Sequence, residues 1–294
     1  MITIFTPTYN RAYILPRLYD SLKTQTVKDF EWIIVDDGSR DETEQLVAKW
    51  IQETKDFPIK YFKTANKGKH CAINYGVQKA RGELFFIVDS DDTLPPDAAE
   101  NILEIYSEIK HDNKFIGVCG LRADPVSKNP FGNFGKMQKI NCSAIDIREK
   151  YKIRGDMAEV FKTEILRKYA FPELTGENFC TEALVWNRIA KEHIFCYFNK
   201  TIYFCEYRAD GLTASIRKRH RQNPLATMLW LREIIDSKEF SFITKIRAAL
   251  LYWRYTAFYY GKRDKSTRPL LWMYLFLPFG MLLFLYDIIM GSYK

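Results

Sequence analysis

Leu84-Phe85-Phe86-Ile87-Val88-Asp89-Ser90-Asp91-Asp92 decides how this chain folds and what it can hold. The apolar run 84–88 has the character of a strand covered on both faces of a parallel sheet. It stops abruptly in three carboxylates within four residues, and Pro95-Pro96 then opens a helix. The acids therefore belong at the carboxyl end of a central strand, the edge at which open α/β sheets bind ligands. Side chains alternate along a strand, so Asp89 and Asp91 project to the same side. Carboxylates crowded in this way repel unless a cation lies between them. Mg2+ or Mn2+ suits such oxygen ligands and often bridges one or two carboxylates to a ligand's phosphates. The plain structural alternative is a turn with helix-capping aspartates.

The same alternation continues on either side. Ile2–Thr6 reads as a strand stopped by Pro7, followed by a helix over 13–25 with apolar Ile14, Leu15, Leu18 and Leu22. Trp32–Val35 is a second strand, Asp36-Asp37-Gly38-Ser39 its turn, and Asp41 caps a helix running to Glu53. A strand over 59–62, a helix over 68–80 ended by Gly82, the acid-tipped strand and a helix over 96–109 complete a series that specifies a parallel, doubly wound sheet. Beyond residue 115 the pattern loosens. Strands are expected at 115–121, 158–161, 194–198 and 202–207, and helices from Thr163 and over 181–191. A mobile loop is expected over 124–139, rich in Gly, Pro, Asn and Lys.

Composition narrows the function. With 294 residues and 47% hydrophobic content the chain can bury a substantial core. A net charge of +8 points to anionic partners: nucleic acid, an anionic membrane or phosphorylated small molecules. Nucleic acid drops out, because the basic residues gather beside an apolar tail rather than across an aromatic-bearing sheet. Cysteines at 71, 119, 142, 180, 196 and 205 form neither CxxC pairs nor zinc spacings, and Met1 runs straight into a strand. The expectation is a cytoplasmic protein with reduced, mostly buried thiols and no signal peptide.

Three ligand-binding turns are thus expected at strand ends: Thr6-Pro7-Thr8-Tyr9-Asn10-Arg11, Asp36-Asp37-Gly38-Ser39 and the Asp89 cluster. A nucleotide lying across that edge is served by each. A buried Asp37 carboxylate can accept from a base N–H or a ribose hydroxyl, Tyr9 can stack on a base, and a cation at Asp91 can hold a pyrophosphate.

Together with Asn66-Lys67-Gly68 through Ala72, Asn74 to Gly76, and Ala80-Arg81-Gly82, these motifs occur in an order that resembles glycosyltransferase family 2, over residues 1 to about 210. The resemblance implies the GT-A fold: α/β and Rossmann-like, a mixed, mostly parallel sheet flanked by helices. It implies inverting transfer of a sugar from a nucleotide-sugar, usually a UDP-sugar. It also implies a donor site built from Pro7, Thr8, Tyr9, Asn10, Arg11, Asp36, Asp37, Lys67, Gly68, Asn74, Asp89, Ser90 and Asp91. In that site Asp37 reads the uracil or ribose, Asp89 touches the ribose or sugar, and Asp91 with Asp89 binds Mn2+ or Mg2+. Lys69 and His70 either help position the donor or form a solvated helix start. The family's base is an Asp preceded by Glu at a helix start. Matching Trp186 and Arg188 puts Glu182 at that Asp and Thr181 at the Glu, a departure that keeps Glu177 as a second candidate. Asp156 is the expected acceptor-side acid, with a plain turn as the alternative, and Arg208 or Arg217 the expected phosphate partner.

The expected division is a catalytic domain over 1–215, with donor half 1–115 and acceptor half 116–215, and a helical extension over 216–294. In the extension, Arg217–Arg221 is a basic cluster and 224–236 and 241–260 read as helices. Leu270–Tyr286 is 17 residues without a charge, interrupted by Pro278 and Gly280 and followed by Asp287. A spanning helix needs about 20. Lys262, Arg263, Lys265 and Arg268 suit anionic headgroups, and Trp253, Tyr255, Tyr259, Tyr260 and Trp272 suit an interface. The reading is a peripheral or monotopic anchor, flat or re-entrant, on the cytoplasmic face of a membrane, with packing on the protein's own core or in a homodimer as the alternative. The whole indicates a glycosyltransferase adding a sugar to a saccharide or lipid-linked saccharide of a capsule, lipopolysaccharide or exopolysaccharide. The alternatives are a sugar nucleotidyltransferase, for which Pro7-Thr8-Tyr9-Asn10 is a poor phosphate loop, and a nucleotide-sugar-binding scaffold without catalysis.

Overall fold

Strands that are apolar on both faces have no solvated side, so they must line up in the interior with helices over both surfaces. The computed structural model describes residues 1–206, 215–256, 259, 261 and 263–290. In it β1 (Ile2–Thr8), β2 (Phe30–Asp36), β3 (Ile59–Lys63) and β4 (Leu84–Ile87) run parallel, with Ile2 in register with both Phe30 and Leu84. With β5 (Phe115–Ala123), β6 (Lys139–Cys142), β7 (Met157–Lys162) and β8 (Ile194–Phe204) they form one eight-stranded sheet, order β3-β2-β1-β4-β7-β5-β8-β6. β7 is antiparallel to both β4 and β5, β6 is antiparallel to β8, and β5 and β8 are parallel. This is the expected mixed, mostly parallel sheet.

Alternation sorts the strand side chains onto two faces. Ile2, Ile4, Trp32, Ile34, Leu84 and Phe86 form one core with residues of α1 (Leu15–Lys23), α2 (Thr43–Glu53) and α4 (Ala98–Ile109). There Tyr19 stacks against Trp50 and Trp32, at 4.4 and 6.2 Å between ring centroids. α3 (Lys69–Lys79) covers the other face; a Cβ at Gly76 would lie 2.1 Å from the Phe5 ring, so glycine is what lets this helix lie against β1. Two short helices, α5 (Asp146–Glu149) and α6 (Thr163–Leu166), flank β7 in sequence.

Two departures from the expected strands have local causes. β1 continues through Pro7 because Phe5 O takes the last β4-side bond, from Val88 N–H, after which β4 turns away. The missing proline N–H falls on that open side and costs the ladder nothing. The two strands expected at 194–198 and 202–207 are the single strand β8. A register shift between Cys119 and Leu121 on β5 absorbs the polar Asn199-Lys200 break, and Lys200 Nζ is held by Asn101 and Glu104 of α4 at 2.8 and 3.0 Å. The loop expected at 124–139 runs into β6, an edge strand whose side chains alternate exposed and buried.

The chain divides into two compact units: a sheet unit, Met1–Ala170 with Ile189–Glu206, and a helical unit, Phe171–Arg188 with Tyr207–Lys294. Residues 171–188 thus group with the C-terminal helices, whereas the sequence suggested a single break after 215. The helical unit holds α7 (Glu182–Ile189) up to Arg188, α8 (Ile216–Gln222), α9 (Pro224–Asp236), α10 (Phe242–Thr256), a 3-10 helix Leu271–Phe276 and α11 (Leu277–Ile289). Its core is Met228, Leu231, Ile235, Ala249, Tyr252, Trp253 and Met273. Arg188 grips Glu233 of α9 through Nε and Nη2 at 3.0 and 2.7 Å. His220 stacks between Trp230 and Tyr255, and burial pushes its pKa down to about 4, so it is a neutral core histidine.

One buried acid ties the first three strands together. Glu31 accepts from Thr3 Oγ1 at 2.8 Å, Arg81 N–H at 2.6 Å and Lys60 Nζ at 2.6 Å. Burial raises its pKa, but the Lys60, Arg81 and Thr3 bonds outweigh it and the carboxyl lies below its ordinary 4.5. A depressed carboxyl contributes stability that is present above the unfolded value and lost as pH falls through the folded one. Urea unfolding should therefore show Glu31→Gln less stable by about 1–3 kcal/mol at neutral pH. The gap should close below pH 4.5. A gap that persists unchanged into acid would refute the ionic brace.

Candidate active site

The order β3-β2-β1-β4 reverses direction at β1, so β1 and β4 form the topological switch point, and their carboxyl ends are where such a sheet binds ligands. The turn 8–11 and the acid cluster 89–92 meet there. Lys69 Nζ, at the start of α3, lies 2.6 Å from Asp89 Oδ1, and Arg11 Nη2 lies 3.8 Å from Asp91 Oδ2. All four side chains are half-buried. Burial alone raises the Asp89 pKa, but Lys69, Arg122 and Arg11 together hold it below the usual carboxylate value. Burial and then the Asp89 charge push Asp91 the other way, with Arg11 opposing. Burial and the surrounding charges thus shift the two neighbouring acids in opposite directions.

The third acid is internal. Asp92 Oδ2 accepts from Tyr203 Oη at 2.7 Å, and Tyr203 Oη accepts from Asp89 N–H at 3.0 Å. Arg122 lies over the Tyr203 ring at 4.3 Å while its Nε donates to Met157 O. Burial and the Asp89 charge hold the Asp92 carboxyl well above its ordinary value. β5 and β8 therefore brace the acid turn from behind. The sequence reading missed Tyr203 and Arg122: they stand 114 and 33 residues away from Asp89, and only the sheet order brings Tyr203 to it.

The second turn separates its adjacent acids. Asp36 is fully enclosed; Oδ1 accepts Ser39 N–H at 2.7 Å and Oδ2 accepts the Tyr61 hydroxyl. It braces the turn rather than facing the sheet edge, contrary to its place in the expected donor site. Asp37 accepts the N–H groups of Lys67 and Gly68, each at 2.8 Å, and so fixes the loop that starts α3. Burial, opposed by these two bonds, leaves its pKa raised. Gly38 has φ +84°, and a Cβ there would lie 3.1 Å from Asn66 N, so the turn needs glycine. In the first turn Asn10 holds φ 52°, its N–H donating to Ser39 Oγ and its Oδ1 accepting Arg40 N–H, which ties the two turns together. Tyr9 is exposed, Pro7 and Ser90 are buried, Lys67 is exposed and Asn74 is half-buried on α3.

The two base candidates differ. Glu177 caps α9: its oxygens accept Leu225 N–H at 2.7 Å and Ala226 N–H at 2.8 Å. Asn223 Oδ1 accepts Asn178 and Phe179 N–H at 2.8 and 3.0 Å, closing the clasp. Glu182 is half-buried in the first turn of α7, just beyond it. Asp156 is exposed ahead of β7. Arg208 lies outside the described residues.

No group of three or more His, Cys, Asp or Glu side chains converges among the described residues. Asp89 and Asp91 instead offer a two-carboxylate, all-oxygen set, which suits Mg2+ or Mn2+ completed by water and a diphosphate. The Thr8 hydroxyl at the end of β1 is buried with no hydrogen-bond partner among the described residues, a further oxygen at the same edge. The residues present fit a hard divalent cation bound together with phosphates. Removing the hydroxyl behind the acid turn tests its shape. Tyr203→Phe keeps the ring under Arg122 and is expected to weaken Mn2+ binding about tenfold by titration calorimetry. Unchanged affinity would mean that the turn holds itself.

Comparison with known proteins bears on the family and the fold. The chain is 28% identical over 219 residues to the GalNAc(5)-diNAcBac-PP-undecaprenol beta-1,3-glucosyltransferase of Campylobacter jejuni, covering 74% of this chain and 68% of that protein. It is 35% identical over 121 residues to an uncharacterized glycosyltransferase of Rickettsia typhi, covering 41% of this chain but only 36% of that one. Its fold is similar to that of S. aureus TarS 1-349, solved with UDP-GlcNAc, with TM-score 0.63 and 19% identity over 95% of this chain and 79% of the other. It is also similar to the mannosyltransferase PcManGT of Pyrobaculum calidifontis, solved with GDP-Man and Mn2+, with TM-score 0.55 and 18% identity over 98% and 75%. The fold is GT-A, and since the glycosyl transferase family 2 profile matches residues 3–158, more than half of the chain, this protein belongs to glycosyl transferase family 2.

Proposed function

We propose that this protein transfers one sugar, with inversion, from a UDP-sugar to a saccharide carried on a lipid diphosphate, in the synthesis of a cell-surface polysaccharide. The observation that carries the reading is the meeting of Asp89, Asp91, Lys69 and Arg11 at the β1–β4 switch point, where acids and bases are balanced for an anionic ligand and its cation. The Campylobacter relative is named for an undecaprenol-diphosphate-linked acceptor, which supports the acceptor class. UDP-GlcNAc in TarS and Mn2+ in PcManGT support the donor class and the cation.

The chain's own groups take distinct parts. Asp37 holds the Lys67–Gly68 loop and keeps unused lone pairs for a base N–H or ribose hydroxyl. Tyr9, exposed at the edge, stacks on the base. Asp89 with Lys69 orients the ribose and sugar, and Asp91 with Asp89 holds Mn2+ or Mg2+. Bound there, the cation offsets the charge that grows on the departing diphosphate. Glu182 takes the acceptor hydroxyl proton. The acceptor oxygen bonds to the anomeric carbon, the carbon–phosphate-oxygen bond breaks, and its electron pair leaves on UDP. Glu177 is committed to α9, which favours Glu182 as the base. The exposed apolar segment of the helical unit supports a seat on the cytoplasmic face of a membrane, where a lipid-linked acceptor is presented.

Two substitutions separate these parts. Glu182→Gln should lower sugar transfer at least about a hundredfold while leaving UDP binding intact. Glu177→Gln should keep most activity and lower the melting temperature; the reverse pattern would make Glu177 the base. Asp91→Ala should lose Mn2+-dependent UDP binding in calorimetry, and retention of parental affinity would remove the cation from the scheme.

A further inference from the structure

The segment Leu271–Ile289 is 19 residues long and apolar enough to cross a membrane by length and composition. Its contacts point elsewhere. One stripe faces the helical unit. Met273 O accepts Trp253 Nε1 at 2.7 Å, and a Cβ on Gly280 would lie 2.4 Å from Trp253 Cβ. Phe284 lies under the Arg221 guanidinium at 4.1 Å. Asp287, fully buried, takes Arg254 Nε and Nη2 at 2.6 and 2.5 Å, with Arg217 at 3.4 Å. The opposite stripe is apolar and open: Leu271 is 90% exposed, Leu275 73%, Leu282 63% and Ile289 81%.

The usual polarity of a surface helix is therefore reversed, with its charge inside and its hydrocarbon outside. Both ends of the segment, Met273 and Asp287, are gripped by the adjacent residues Trp253 and Arg254 of α10. Grips from two adjacent residues bring the two ends together, so a segment held this way cannot also extend across a hydrocarbon layer about 30 Å thick. To span, it would have to break both grips and carry Asp287 unpaired into lipid, or drag α10 with Lys245, Arg247 and Arg254 across with it. The polar surroundings are basic: Arg217, Lys218, Arg219 and Arg221 on α8, and Lys265 and Arg268 ahead of the segment. That charge complements anionic headgroups, which selects a lipid surface over a second copy of this basic chain.

We propose that Leu271–Ile289 lies flat in one leaflet of an anionic bilayer, with its outward stripe among the acyl chains and with α8 and α10 at headgroup level. The proposal rests on the membrane reading above and fixes its geometry, with both ends on the side from which the protein binds.

Flotation of the full chain with vesicles of phosphatidylcholine and phosphatidylglycerol in equal parts tests it, with phosphatidylcholine alone as the second arm. The protein should float with the mixed vesicles and bind pure phosphatidylcholine about tenfold less. Leu275→Glu and Leu282→Glu, both on the open stripe, should each weaken binding roughly tenfold without loss of folding. Ser266→Cys and Met290→Cys, bound to preformed sealed vesicles, should both react with a membrane-impermeant maleimide. Protection of Met290→Cys until the vesicles are opened would show a spanning helix and overturn the proposal. So would failure to float together with concentration-dependent dimerisation that Leu282→Glu abolishes. UDP release with a soluble saccharide acceptor, measured on the same preparation, reports sugar transfer separately, so loss of one reading leaves the other standing.

Discussion

The acid turn after β4 is the constraint on which the rest of the sheet unit depends. Burying a carboxylate is costly unless charge or hydrogen bonds offset it, and here three lie within four residues. Each is met by a different element: Lys69 from α3 for Asp89, Arg11 from the turn after β1 for Asp91, and Tyr203 from β8 for Asp92. Parallel order around β1, the glycine that lets α3 lie on Phe5, and the continuation of β8 past its polar break can each be read as a condition for one of those meetings. A turn balanced by its own cations can exchange part of that balance for a bound one, which is what a site for a metal–diphosphate pair needs.

Much of this was legible because buried parallel strands announce themselves as unbroken apolar runs. Four such runs with helices between them, and acids or glycine at their ends, specified the sheet and the edge at which ligands bind. What failed to show was non-local. Nothing near Tyr203 or Arg122 marks them as partners of an acid turn, since their roles arise only when β5 and β8 join the sheet beyond β7. Adjacent acids were also beyond reach of pattern alone. Asp36 ends a strand and turns inward, whereas Asp37 begins the turn, and one residue of phase decides between brace and loop anchor. Glu177 stayed a second candidate to Glu182 because the helix it caps begins 47 residues later in the chain.

The helical unit shows the same limit from the other side. Gly280 and Asp287 looked like faults in an apolar run, and by hydropathy they weakened it. In the structure they are its inward-facing positions, glycine for close approach to Trp253 and aspartate for the Arg254 grip. The outward positions carry no such interruption.

This arrangement bears on how the enzyme is organised. Residues 171–188, which carry Glu177 and Glu182, belong to the same compact unit as the apolar stripe rather than to the sheet. The clasp of Glu177 and Asn223 and the Arg188–Glu233 pair tie that segment to α9, and α9 packs on α10, which grips the segment with the exposed apolar stripe. Donor recognition and the proposed proton acceptor are thus held by different units. The proposed base and the exposed apolar stripe belong to the same unit. If the acceptor is carried on lipid, as proposed, this division would let a membrane-bound unit hold the group that meets the acceptor hydroxyl. The sheet unit then needs only to bind and activate a soluble donor. On the proposed mechanism the C-terminal helices support the segment that carries the base.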